Sequence, residues 1–98
     1  MRLLALKVTE RELQDKLNDN EGGYPSQIND LRRDIRHEGP AHPRSGQPPG
    51  TKSVLYQYWD GPRVVMMLHC FIKPDGTLGA SGKMDPKRLL VNGIYYYT

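Results

Sequence analysis

The sequence predicts an α+β fold: an antiparallel or mixed sheet of four to five strands, two N-terminal helices and one short C-terminal helix, in the order β-α-α-loop-β-β-β-α-β. Three observations predict it. A capping-box spacing at Thr9 and Glu12 follows a short apolar run, a stretch rich in proline and glycine occupies residues 39–53, and beyond it the apolar period changes to that of strands.

The elements follow in order. R-L-L-A-L-K-V reads as a strand with Leu4, Leu6 and Val8 on one face. Val8 and Leu13 stand where a hydrophobic staple places its two members, so a helix is expected to begin at Glu10, turn Leu13 and Leu17 inward, and end before Gly22-Gly23. Pro25 and Ser26 open a second expected helix, with Ile28, Leu31 and Ile35 at i, i+3 and i+7 and a mixed charged face around Arg32, Arg33 and Arg36. It stops near Gly39-Pro40. The following loop, with Pro40, Pro43, Pro48 and Pro49, resists both helix and strand and is either a linker or a binding loop.

Two strands come next. V-L-Y-Q-Y-W is rich in aromatic and branched residues, and V-V-M-M-L-H-C-F-I is apolar on both faces, which marks a central strand. Pro62 disfavours a type I′ turn at Asp60-Gly61, so a longer connection over residues 60–63 is expected. K-P-D-G-T is a type I turn pattern and pairs the central strand with T-L-G-A-S. Asp85-Pro86 reads as N-cap and first helical position, Asn92-Gly93 as a stop, so residues 86–91 are expected to be helical before a closing strand I-Y-Y-Y.

A chain of 98 residues is expected to form one domain and to bury about 60 to 65% of the surface its unfolded form exposes, so its core is thin. Cys70 is the only cysteine, which excludes an intrachain disulfide and suits a reducing compartment; the expected location is the cytoplasm. The first residues are too short an apolar run for a signal segment, and no stretch is long enough to span a bilayer, so no membrane contact is expected.

The net charge of +3 is unevenly placed. Residues 1–50 are balanced, whereas residues 51–98 hold Lys52, Arg63, Lys73, Lys83, Lys87 and Arg88 against Asp60, Asp75 and Asp85. The second half also carries the aromatic strands. The leading expectation is therefore an intracellular binding protein that meets nucleic acid or an acidic protein surface through Lys73, Lys83, Lys87, Arg88, Tyr95 and Tyr97. The tyrosine strand also offers an edge for a homodimer.

An enzymatic alternative centres on His69, which a strand would hold rigidly. A metal-independent ribonuclease needs a base, an acid and a cation for the phosphate, and His69, Lys73, Lys83 and Tyr56 supply those types without a diagnostic spacing. Cys70, adjacent in the strand, points to the opposite face and cannot pair with His69. The run G-T-L-G-A-S-G-K lacks the phosphate-loop pattern, and His37 with His42 matches no metal spacing, so neither a cofactor nor a metal is expected. A winged helix-turn-helix, with residues 28–37 as recognition helix and the 60–62 hairpin as wing, is a further alternative. A homo-oligomeric assembly subunit is the last.

Overall fold

A computed structural model describes residues 4–79 and 82–98. Its elements are β1 (Leu4–Lys7), α1 (Glu10–Asn18), a 3-10 helix (Pro25–Asp30), β2 (Arg32–Pro40), a 3-10 turn (Pro43–Ser45), β3 (Lys52–Asp60), β4 (Arg63–Ile72), β5 (Asp85–Val91) and β6 (Ile94–Tyr97). All six strands form one mixed sheet in the order β1-β6-β5-β4-β3-β2, so the tyrosine strand β6 is paired on both sides and is not the edge expected of it. Neighbours from β2 to β6 are antiparallel, and β1 joins β6 in parallel. The protein is thus β-rich, and the expected pair of N-terminal helices and the C-terminal helix give way to α1 alone.

The first helix forms where the capping box places it. The Thr9 hydroxyl oxygen accepts from the Glu12 amide at 3.1 Å and its hydroxyl donates to the Glu12 carboxylate at 3.0 Å. Glu10 and Glu12 complement the positive end of the helix dipole, and Lys16 the negative end. Leu13, fully buried, anchors the helix to the sheet.

The second expected helix is a short 3-10 segment followed by β2. Ile28, Leu31 and Ile35 have helical spacing, yet Ile35 is 52% exposed, so no apolar stripe is buried there. The partner that wins is the outer edge of β3, where Arg33 stacks over Tyr56 and Arg32 over Trp59 across strands. With β2 a strand, the recognition helix of a winged helix-turn-helix is absent.

The expected helix at 86–91 is β5. Pro86 sits beside a bulge, where Lys87 is left unpaired between Pro86↔Leu68 and Arg88↔Met67, a position that tolerates the missing N–H. Asn92 and Gly93, at φ 49 and 83, form the two-residue connection between Val91 and Ile94. That is the backbone a type I′ hairpin requires, and Asn-Gly is its preferred pair. The β3–β4 connection is also tight, since Asp60 pairs with Arg63 and Gly61 takes φ 58, as the first central residue of a type II′ turn does. The turn after β4 closes as expected, with the Gly76 amide donating to the Lys73 carbonyl at 2.8 Å. Among the described residues its return strand shows a single bridge, Ile72↔Leu78. Arg2 and Leu3, and Ala80 and Ser81, of the expected strands lie outside the described residues.

Register assigns the two faces. Tyr58, Met66, Leu89 and Tyr96 stand in one row, and Tyr56, Leu68 and Pro86 in the next, on the side packed by α1 and the 3-10 helix. Tyr58, Met66, Leu68 and Leu89 are buried there with Leu13. The other side has no helix among the described residues. No helix among them is long and apolar enough to cross a membrane.

Candidate binding surface

The uncovered face is built by the alternate residues of the same strands. The row Leu55, His69 and Asp85 crosses β3, β4 and β5, and the row Gln57, Met67, Arg88 and Tyr97 crosses β3 to β6. Trp59 pairs with Arg32 on one flank, and Tyr95 with Ala5 on the other. An antiparallel sheet with one solvated face ordinarily alternates apolar inward and polar outward. Here Leu55, Trp59, Met67, Phe71, Tyr95 and Tyr97 are all half-buried on the outward side.

Cations are stacked on that aromatic surface. The Arg32 guanidinium lies 4.7 Å from the Trp59 ring centroid, and that of Arg88 lies 5.4 Å from Tyr95. The Tyr95 hydroxyl donates to the Val64 carbonyl at 2.6 Å, which fixes the ring under Arg88. Lys7 joins the same side opposite Tyr97.

His69 occupies the middle of the face. Its Nε2 lies 2.6 Å from the Ser53 hydroxyl oxygen, and Phe71 meets its ring edge-on at 4.8 Å. Burial lowers its pKa below the ordinary imidazole value, Lys87 lowers it further, and Asp85 acts in the opposite sense. The imidazole is accordingly neutral near pH 7, and one nitrogen is free to accept from Ser53. Cys70 is buried on the other side, with its thiol pKa raised by that burial, so the His and Cys side chains diverge as strand alternation requires.

The residues singled out from sequence are partly gathered. By register, Arg88, Tyr95, Tyr97 and His69 lie on the open face, and Lys87, at the bulge of β5, is near enough to His69 to lower its pKa. Tyr56 pairs with Leu68 and belongs to the covered side, away from His69. Lys83 borders a cleft of about 300 Å³ with Leu17, Leu68 and Met84, also on the covered side. Lys73 follows β4 in the turn, and Arg63 opens the same strand, so these two cations are separated by its length, roughly 30 Å. The cations of the second half therefore do not converge on one patch. Arg32, Trp59 and Ser53 were missed; the signal for the first two was an arginine-rich stretch preceding an aromatic strand.

Two other features frame the site. Residues 38–43 and 47–52 line a cavity of about 670 Å³ that includes Pro40, Pro43, Pro48 and Pro49, with the Glu38–Lys52 ion pair at 3.4 Å among its walls. No group of three or more His, Cys, Asp and Glu side chains among the described residues is placed to hold a metal ion. No family model matches the chain, and no curated protein or solved structure is significantly similar to it.

Proposed function

We propose that the open face of the sheet binds single-stranded nucleic acid, stacking bases on its rings and meeting phosphates with its cations. One observation carries this reading: arginines lie over Trp59 and Tyr95 on a face that also presents half-buried Leu55, Met67, Phe71 and Tyr97, with Leu90 buried beside Tyr95. Such a surface offers a π-face to any base and positive charge to the backbone that links them. An acidic protein surface meets the same cations but gains nothing from the rings in a sequence-tolerant way.

Trp59 is the only tryptophan, so its emission reports the site directly. Titration with an unstructured U-rich oligonucleotide is expected to quench that emission and to weaken steeply between low and high salt. Trp59→Ala should lower affinity by about 5- to 150-fold, the equivalent of about 1–3 kcal/mol of stacking. Unchanged emission with bound oligonucleotide, or affinity indifferent to salt, overturns the proposal.

The Ser53–His69 contact favours a second reading, a metal-independent ribonuclease-like hydrolase. A neutral His69 is suited to take a hydroxyl proton, with Lys87 beside it as the cation. Cleavage of RNA in the presence of chelator that disappears in His69→Ala would establish it; intact RNA removes it.

A further inference from the structure

We propose that β1 is the contact strand of a homodimer, pairing antiparallel with β1 of a second copy about a twofold axis through Ala5. The two edges of the sheet differ in kind. The outer edge is β2, which carries Arg32, Arg33, Asp34, Arg36, His37 and Glu38, a bulge between Ile35 and His37, and Pro40 at its end. Charge, bulge and proline are the devices by which an edge is kept from pairing with another strand. β1 has none of them before Lys7. It is instead apolar, and Leu4 and Leu6, 63% and 47% exposed, are two of the three most exposed large hydrophobic residues described.

Backbone polarity agrees with an open edge. The Val8 amide donates to the Tyr97 carbonyl at 2.8 Å, so residues of that parity point their polar groups toward β6. Strand alternation then turns the amide and carbonyl of Ala5 outward, with no strand beyond them among the described residues.

The sequence of this strand says which partner fits. Leu4-Ala5-Leu6 reads the same in both directions. Antiparallel pairing centred on Ala5 therefore exchanges two hydrogen bonds between the Ala5 residues and sets each Leu4 against the other copy's Leu6. All four leucines then lie on one side. This is the self-matching arrangement that a twofold interface demands. The axis runs perpendicular to the sheet, so both open faces stay on one side and the six-stranded sheet is doubled into one surface.

Light scattering of the intact chain across a concentration series, together with cysteine cross-linking, tests the proposal. Twice the chain mass is expected at the higher concentrations. Ala5→Cys should link copies under oxidation, because a hydrogen-bonded antiparallel pair holds its Cα atoms about 5.5 Å apart, within disulfide reach. Ile35→Cys on the guarded edge should not. Leu6→Lys should restore the monomer, and so should Ala5→Pro, which removes an N–H that β6 does not use. Leu6→Lys keeps the test decisive if Ala5→Pro fails to fold. A monomer at all concentrations overturns the inference, as does a dimer that survives Leu6→Lys or one linked through Ile35→Cys in preference to Ala5→Cys.

Discussion

His69 links the chemistry of the open face to the stability of the fold. Its folded-state pKa lies below the unfolded value of about 6.5, because burial and Lys87 both oppose the charged ring. The unfolded chain therefore takes up the proton first, and acid favours unfolding. The contribution is complete above about pH 6.5 and is lost as pH falls below that value toward the folded pKa. Urea midpoints of the wild type are expected to drop between about pH 7 and about pH 5 more than those of His69→Gln, which keeps a polar partner for Ser53 without titrating there. Solvent around the half-exposed ring limits the size of the difference, and coincident profiles would show that His69 has no part in it. Leu13 is the corresponding residue of the interior. It is fully buried and is the one buried residue of α1, so Leu13→Ala should cost about 2–5 kcal/mol in urea unfolding. A loss below about 1 kcal/mol would mean that the helix is not anchored through it.

At the scale of elements, the signals that proved readable were those that a residue satisfies within a few positions. Thr9 and Glu12 cap α1 whatever the sheet does, and the K-P-D-G-T turn closes on its own hydrogen bond. The failures arose where one local pattern serves two structures. Asn92-Gly93 stops a helix or turns a hairpin, and the row of buried Leu89 and half-buried Tyr96 decides for the hairpin. Asp85-Pro86 starts a helix or stands beside a bulge, and the need of β4 for a second neighbour decides for the strand. Gly93, at φ 83, then carries a conformational demand that a helix stop shares but does not pair with positive φ at Asn92. Gly93→Ala is expected to destabilise by about 1 kcal/mol while Asn92→Gly is nearly neutral, as thermal unfolding would show.

For the molecule as a whole, faces matter more than halves of the chain. The charge excess of residues 51–98 was visible in the sequence, but it is divided between the ends of β4, the two sides of the sheet and the loop at Lys83. The open face instead takes Lys7 and Arg32 from the first half and Arg88 from the second. No reading of local composition brings Arg32 to Trp59, because their pairing depends on β2 being a strand. The face of each arginine gives a contrast that can be measured. Arg88→Ala should reduce the salt slope of oligonucleotide binding by about 0.7, the share of one phosphate contact on a single strand. Arg33→Ala removes the same charge from the side of Tyr56 and should leave the slope unchanged. Equal effects would mean that net charge alone drives binding.

The parallel union of β1 with β6 also orders events in time. The β3–β4 and β5–β6 hairpins close over two-residue turns, so each can form early from neighbouring residues. β1 has no berth until β6 is seated, since Leu4 must find Ile94 across nearly the whole described chain. Docking of this strand is then expected to follow that of β6, and its release to be an early step of opening. Deuterium uptake at the Val8 amide should accordingly run ahead of uptake at Met66 and Leu89, and during the interval its leucines lie bare to any neighbour in the same state.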